Sequence, residues 1–519
     1  MTEVPGTSPP VGPRGSFGQM IIANIEETGG SPARMLGGFA GAWVVLFFML
    51  FVFSPPEGLS ENGMAVAGIV LWACIMWVSG AMPVGITGIC IPLLLILTEG
   101  IPWNDGRPPL GTVFAGFTRH VVWLCLFAFL VGAIMQLLRA DRRIALAILD
   151  RFKASNASQV IMGMFAVNVA LAFVIPAANA RAATLLPVVK GICNLLGTTP
   201  AELSARKAIV IQSLVYGPMI CGVFIMTAHL PNLIMVDIMG QDGFEISYLQ
   251  WAILQFPYLG MFFITAIWVR YHFKTKNVKM AGGHQRIHEA HKELGPMSKA
   301  EWTLVAVFAV VALLFMMGRG SPIFELHRYQ LGIIGLAGIM LLFTPGLFPF
   351  TWKEVSEKTI WGTFLLLGGA ITMTAAMSQS GLANYLSDQI HHVVEGMIWW
   401  QAVLALMVGT HIIRIGMLSN VAAIAMLAPI TFELAEALGF HKVAFMLLVC
   451  DTDTFAYLLP TQITAAVIAY GSDEFSMGDY FKVGWVSVLI AMAYGLLVMA
   501  PWYAFLGLPV WDPTAPWPF

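Results

Sequence analysis

Two short segments, Ala177-Ala178-Asn179-Ala180 and Ser419-Asn420-Val421-Ala422, decide how this chain folds. Both are made of small or polar residues, and both join two apolar runs. The four apolar runs are residues 160–174, 182–196, 398–418 and 422–438. Irregular backbone at membrane depth survives only where it is buried in protein or lines a cavity, so each segment predicts the tip of a re-entrant hairpin. A gap-free alignment of the tips also places Pro187 on Pro429, so the hairpins are copies about 242 residues apart.

A broken helix is predicted after each hairpin. The first spans 208–239 and is interrupted at His229-Leu230-Pro231-Asn232, and the second spans 443–470 and is interrupted at 459–464. A repeated hairpin and broken helix are typical of secondary transporters, in which such breaks surround the substrate.

The composition excludes a water-soluble protein. Of 519 residues, 58% are hydrophobic and 11% are charged, and the mean hydropathy is +0.78, whereas soluble proteins carry about 25% charged residues. The net charge of −2 and the lack of a basic face argue against a nucleic-acid partner. All six cysteines lie in apolar runs, so no disulfide framework, metal centre or organic cofactor is implied. We expect an all-α polytopic membrane protein with about eleven transmembrane helices and two re-entrant hairpins.

Basic residues set the predicted orientation. They cluster at 139–153 and again at 272–299, which we place in the cytoplasm. The N-terminus is then cytoplasmic, the C-terminus lies outside, and the two halves form an inverted repeat in what we expect to be a bacterial plasma membrane. The predicted parts are a flexible tail (1–35), the first repeat (36–271, with hairpin 157–197), a cytoplasmic loop (272–300), the second repeat (301–500, with hairpin 398–438) and a C-terminal tail (501–519).

Several polar side chains within the apolar segments are candidates for chemistry. Ser419 and Asn420 sit where the second arm begins, and helix N-termini attract anions, so the tips are predicted to hold a small carboxylate; the alternative is a simple turn. His229 either contacts substrate, titrates, or satisfies a loop carbonyl. His411 and Arg414 lie three residues apart on one face of the arm and either border the substrate path, or the arm brings the Arg414 side chain to the membrane interface, where it snorkels.

Two carboxylates and one arginine are also expected to be buried. Asp451 and Asp453 lie on opposite sides of a helix, so at most one faces the cavity. A buried carboxyl either carries a proton or holds Arg414 or Arg181 in place. Arg181 either pairs with a substrate carboxylate or forms a salt bridge to a protein carboxylate.

With these motifs the chain resembles the divalent anion/sodium symporters, a family with Ser-Asn-Thr at both tips and a Thr-Pro-Pro-Asn type loop in both breaks. The matching features are Ser419-Asn420, Pro231-Asn232, Gly381-Leu382-Ala383 and the run 142–146. The resemblance implies a homodimer in the lipid bilayer, an elevator mechanism and a di- or tricarboxylate or sulfate substrate. The substrate-binding residues that it implies are Asn179, Arg181, His229, Pro231, Asn232, Ser419, Asn420, Val421 and Thr464, with sodium near Asn179, Gly222, Ser419 and Asn420.

The departures from the family pattern concern the coupling ion. The first tip reads Ala177-Ala178-Asn179, the second has Val421 in place of Thr, and the second break reads Ile463-Thr464-Ala465-Ala466. Arg181 matches an arginine of the family's exchanger branch, and a guanidinium can stand in for a lost sodium ion. We therefore expect a secondary transporter of di- or tricarboxylates coupled by exchange or protons, with sodium-coupled dicarboxylate or sulfate symport as the alternative. An intramembrane enzyme is disfavoured, because Asp451 and Asp453 cannot form one catalytic pair.

Overall fold

The helices follow the predicted order almost throughout. The computed structural model of the protein describes residues 32–103, 105–275, 278–280, 282–318 and 329–519. The helices of the first half are α1 (Pro32–Phe51), α2 (Glu61–Ser79), α3 (Val84–Leu97), α4 (His120–Leu138), α5 (Ala140–Arg151), α6 (Ala157–Ala172), α7 (Ala178–Cys193), α8 (Pro200–Phe224), α9 (Leu230–Gln241) and α10 (Tyr248–His272). Those of the second half are α11 (Gly283–Glu293), α12 (Lys299–Met316), α13 (Leu331–Leu342), α14 (Trp361–Gln379), α15 (Leu382–Val394), α16 (Trp399–Ile413), α17 (Asn420–Ala437), α18 (Lys442–Thr454), α19 (Thr464–Tyr470) and α20 (Met477–Phe505).

Short elements complete this part of the chain. Single helical turns lie at Leu110–Val113 and Ala115–Thr118, a two-turn helix at Trp352–Lys358, and 3-10 turns at Met226–Ala228, Arg414–Gly416 and Pro460–Gln462. Most of the predicted N-terminal tail, residues 1–31, lies outside the described residues, and α1 already begins at Pro32.

The chain is an all-helical membrane protein. Nine helices in the described ranges are long and apolar enough to cross a bilayer, or ten if α15 and α16, which meet at 115°, count as one span. The sequence predicts about eleven spans. Part of the difference lies in α3 and α13, which are apolar but only 14 and 12 residues long, whereas a full crossing takes about 20 residues.

The duplication predicted from the hairpin tips extends well beyond them. Four helices of the first half begin 242 residues before their counterparts, and the pairs of first residues are Ala140 and Leu382, Ala157 and Trp399, Ala178 and Asn420, and Pro200 and Lys442. The residues before α5 and α15, Arg139 and Gly381, both have positive φ (55° and 78°), which lets the chain turn sharply into each helix. The shared unit is therefore a short helix, a hairpin and a broken helix.

The two halves interlock around the breaks. The second arm of the first hairpin, α7, packs against α19 beyond the second break, and the second arm of the second hairpin, α17, packs against α9 beyond the first break. The rings of Tyr216 in α8 and Tyr457 beside the second break pack against each other between the halves, with centroids 4.1 Å apart and planes inclined by 36°. Each break is thus enclosed by protein, which irregular backbone within a membrane requires.

Candidate functional site

Three helix N-termini converge where the tips meet the breaks. Neither α7, which follows Ala177, nor α9, which follows His229, has a side-chain N-cap. In their first turns, the Ala180 N–H bonds to Oδ1 of Asn179 and the Asn232 N–H bonds to the His229 carbonyl, and the N–H groups before them lack helical partners. Ser419 caps α17 by accepting a hydrogen bond from the Ala422 N–H at 3.2 Å. The Nδ2 of Asn420 lies 3.2 Å from Nε2 of His229, which joins the second tip to the first break. Open N–H groups and positive helix ends at one point favour an anion.

Arg181 is fully buried beside the first break. Its Nη1 donates to the carbonyl oxygens of Ile175 (2.8 Å) and Ala228 (2.9 Å), and its Nη2 donates to that of Pro218 (2.5 Å). In the described part of the chain these partners are all backbone carbonyls rather than carboxylates. The guanidinium therefore occupies a carbonyl-lined position of the kind that otherwise suits a small cation.

Gly222 makes room for this guanidinium. A Cβ added at Gly222 would lie 3.1 Å from Nη2 of Arg181 and 3.3 Å from Cβ of His229. The family resemblance implies a sodium ion near Gly222, and the charged end of Arg181 lies beside Gly222 in the structure.

Arg414 lies at the second break. It sits in the 3-10 turn that ends the first arm of the second hairpin, and its side chain is fully buried. Its Nη2 donates to the Gln462 carbonyl oxygen at 2.8 Å and to Oδ1 of Asn420. Its Nε lies 3.4 Å from Oδ2 of Asp453, also fully buried. Arg414 thus connects tip, break and α18 inside the protein and does not reach the interface.

The two breaks are related through these arginines. Ala228 ends the 3-10 turn of the first break, and Gln462 ends the 3-10 turn of the second. Each turn-ending carbonyl accepts a hydrogen bond from a buried guanidinium, Arg181 in one case and Arg414 in the other. Both breaks therefore hold a guanidinium of the protein itself, and the one at the second break is paired with the carboxylate of Asp453.

Amide side chains form hydrogen bonds with the backbone of both broken helices. Asn232, fully buried, donates to the carbonyls of Gly222 (2.9 Å), Ile225 (3.1 Å) and Val223 (3.4 Å), so its amide satisfies its own broken helix. Gln462 has a similar role in the second break, where its Oε1 accepts a hydrogen bond from the Leu459 N–H at 2.7 Å. Of the other predicted site residues, Pro231 and Val421 are buried, Thr464 is exposed at the start of α19, and half-buried Asn179 accepts a hydrogen bond from the next N–H.

The coupling candidates divide between opposite faces of α18. Asp453 faces Arg414, whereas Oδ2 of Asp451 accepts a hydrogen bond from Nε2 of Gln255 at 2.8 Å. The Oε1 of Gln255 in turn accepts from the Tyr503 hydroxyl at 3.1 Å. His411 is buried, and its Nδ1 lies 2.8 Å from the Met407 carbonyl one turn earlier in α16. The hydrogen bonds of Asp451 and His411 thus go to α10 and α16 and not to the tips or the breaks.

Gln255 and Gln462 were not predicted from the sequence. The only local signal was an amide inside an apolar run, where an unpaired polar group is costly and must find a partner.

Comparisons with known proteins agree with this architecture. The family profile described as "Sodium:sulfate symporter transmembrane region" matches residues 39–509. A sodium-dependent dicarboxylate transporter of Staphylococcus saprophyticus is 26% identical over 498 residues, covering 90% of this chain and 92% of that protein. A membrane protein of Cupriavidus necator is 26% identical over 482 residues, with the same coverage of both chains.

Two solved transporters share the fold. The Alcanivorax borkumensis YdaH transporter gives a TM-score of 0.51 at 16% identity and covers 82% of this chain and 99% of its own. The antimetabolite efflux pump MtrF of Neisseria gonorrhoeae gives a TM-score of 0.54 at 13% identity and covers 87% and 100%. Because the family profile spans nearly the whole length, this chain belongs to the sodium:sulfate symporter family, the divalent anion/sodium symporters.

Proposed function

We propose that the protein is a secondary active transporter of small divalent organic anions, di- or tricarboxylates, coupled by exchange or by protons rather than by sodium. The observation that carries the proposal is the buried guanidinium on the turn-ending carbonyl of each break. A cation that belongs to the protein removes the need for one from solution.

The anion is proposed to bind between the tips. The open N–H groups at the starts of α7 and α9, the half-buried amide of Asn179 and the tip residues Ser419 and Asn420 supply hydrogen-bond donors at one place. Arg181, whose partners are backbone carbonyls, adds positive potential without making the bidentate contact that a guanidinium in the pocket would make, whereas the charge of Arg414 is offset by Asp453.

Fixed charge also gives a physical reason for exchange. Arg181 has backbone carbonyls as partners, so the empty site retains its positive charge, and moving it through the bilayer is costly. A bound anion offsets that charge. Loaded carriers then cross faster than empty ones, which is the condition for obligatory exchange. In this proposal the hairpins and broken helices move together as one unit of an elevator, within a homodimer whose N-termini are cytoplasmic.

Sodium-coupled uptake of dicarboxylate or sulfate is the second candidate. It is favoured by the relatives that are named sodium-dependent dicarboxylate transporters and by the backbone carbonyls gathered at each break. Under this candidate the carbonyls would bind sodium despite the altered tips.

The test is uptake of radiolabelled succinate into proteoliposomes under three matched conditions: an inward sodium gradient, an inward proton gradient, and internal unlabelled succinate. Uptake that requires internal succinate or a proton gradient, unchanged when choline replaces sodium, is expected. Uptake that requires sodium and ignores both other conditions would overturn the coupling and favour the second candidate. Failure of the folded protein to take up either succinate or, in a parallel assay, citrate under any of these conditions would refute the substrate class.

A further inference from the structure

A set of metal-ligand side chains lies at the corner between α15 and α16. His391 and His392 occupy the last turn of α15, and Glu395 is the residue that caps it. One ligand atom from each of the three lies within 4.8 Å of the others. In the described ranges, this is the one such group of three histidine, cysteine, aspartate or glutamate side chains. His391 is half-buried, and the other two are exposed and free to rotate.

The ligand types suit a divalent transition metal. Imidazole nitrogen binds Zn²⁺ at about 2.0–2.1 Å and carboxylate oxygen at about 2.0–2.2 Å, so donor atoms around a tetrahedral ion are about 3.4 Å apart. The donor atoms of the three side chains lie within 4.8 Å of one another, so side-chain rotation would have to bring them closer together to bind an ion. Two imidazoles and one carboxylate leave a fourth position for water, or for exposed Asp388, which lies one turn earlier on the same face.

The surroundings also favour a cation. The three residues lie at a helix C-terminus, where the helix dipole attracts positive charge. The segment 384–395 contains no lysine or arginine, so no basic side chain of that segment competes for Glu395.

A second histidine cluster provides a contrast. In α11, the Nδ1 atoms of His288 and His291 each lie 3.1 Å from the Asp150 carboxylate at the end of α5. These nitrogens are already hydrogen-bonded to the carboxylate, so this cluster joins two helices instead of offering free ligand atoms.

We propose that His391, His392 and Glu395 bind a divalent transition-metal ion of the Zn²⁺ class and that the bound ion stiffens the corner into the second hairpin. Glu395 begins the linker between α15 and α16, and Gly396 beside it adopts φ of 77°. An ion that ties Glu395 to the last turn of α15 removes freedom at the start of that linker. The site does not depend on which anion is transported or how transport is coupled.

Binding is tested with the full-length, tag-free protein in detergent. Co²⁺ serves as the spectroscopic probe and Zn²⁺ as its competitor, with the variants His392→Asn and Glu395→Gln. His288→Asn is the matched control, because it removes one histidine from the other cluster. We expect one competable site per chain, weakened at least tenfold in both variants and unchanged in the control. Equal affinity in wild type and both variants, or loss in His288→Asn alone, would overturn the site.

The stiffening of the corner has its own measurement. Amide hydrogen exchange of residues 394–398 should slow at saturating Zn²⁺ in the wild type and stay unchanged in Glu395→Gln. If the wild-type protein binds Zn²⁺ but its amide hydrogen exchange at residues 394–398 does not change, the proposed stiffening of the corner is refuted. Neither readout requires transport, so failure here is distinguishable from failure of the proposed function.

Discussion

If the guanidinium of Arg181 occupies a cation position, as we propose, replacing Arg181 with alanine should give a protein that sodium stabilises, whereas sodium should not stabilise the wild type. The side chain makes three hydrogen bonds to carbonyl oxygens, at 2.8, 2.9 and 2.5 Å. A hydrogen bond from a charged group contributes ~1.5–3 kcal/mol, so the three together supply about 4–9 kcal/mol if nothing replaces them. Water entering the vacated space recovers part, and we expect the free energy of unfolding to fall by about 3–5 kcal/mol.

Sodium is expected to recover a further part in the variant. The carbonyls of Ile175, Ala228 and Pro218 would then face a space of cation size, and oxygen atoms are the ligands that hard cations prefer. An ion present at 100 times its dissociation constant stabilises by about 2.7 kcal/mol. The wild type, whose guanidinium fills that space, should gain nothing.

The assay is denaturant unfolding in detergent, with sodium chloride or choline chloride at equal ionic strength. Arg206→Ala is the control, because Arg206 also donates to a backbone carbonyl, that of Leu196, but away from the tips. Sodium should stabilise Arg181→Ala selectively and leave the wild type and the control unchanged. If sodium stabilises wild type and Arg181→Ala equally, the guanidinium does not occupy the cation position and the reasoning fails.

Three further perturbations test neighbouring features. Gly222→Ala should lower the free energy of unfolding by ~1–3 kcal/mol, because its Cβ would press on Arg181. Gly191→Ala, whose Cβ would meet no atom within 4 Å, should raise the free energy of unfolding by ~0.5–1 kcal/mol. Equal effects of the two substitutions in thermal unfolding would contradict this. Asp453→Asn should lower the free energy of unfolding by ~3–5 kcal/mol, because it leaves Arg414 without its carboxylate. Asp451→Asn keeps an oxygen that accepts from Gln255 and should lower it by less than ~1.5 kcal/mol. The denaturation midpoints of the two variants test this ranking. Burial alone would raise the pKa of Asp150, but hydrogen bonds from His291 and His288 outweigh it and hold that pKa below its usual range. The resulting stabilisation is full above the ordinary carboxyl pKa of about 4 and is lost as the pH falls further, so hydrogen exchange in α11 should accelerate in acid and, at neutral pH, in Asp150→Asn, with a cost of ~1 kcal/mol or less.

The sequence predicted the repeated elements because their signals are local. Apolar runs of membrane length, the tips between them and the spacing of 242 residues can all be read along the chain, and the helix starts at Ala178 and Asn420 keep that spacing. The number of spans differs from the expected eleven, in part because α3 and α13 have only 14 and 12 residues and the ends of their apolar runs cannot be read from the sequence.

The partners of the buried polar groups could not be predicted from the sequence. Asp451 and Asp453 were predicted to lie on opposite sides of one helix, but nothing local indicates that one meets Arg414 and the other Gln255. Those contacts join residues about 40 and 200 positions apart, and they depend on how α10, α16 and α18 pack. Arg181 raised the same problem, because a guanidinium at a tip is equally compatible with substrate, carboxylate or carbonyl partners until the break beside it is placed.

Arg181 and Arg414 occupy different positions in the two repeats although each contacts a break. By the 242-residue repeat, the counterpart of Arg181 is Ala423 and the counterpart of Arg414 is Ala172. Inheritance from one ancestral repeat therefore does not explain why both breaks contain a guanidinium, since one comes from the second arm of its hairpin and the other from the end of the first arm. What the breaks share is a turn-ending carbonyl, at Ala228 and at Gln462, removed from water and from helical hydrogen bonding. Such carbonyls must be satisfied inside a membrane. Amides supply some of the donors, and the guanidinium groups of Arg181 and Arg414 supply the rest. If protein charge replaces a bound ion, as we propose, each break needs a guanidinium but not one at a fixed position in the chain, and the two arginines reach their breaks from different arms of their hairpins.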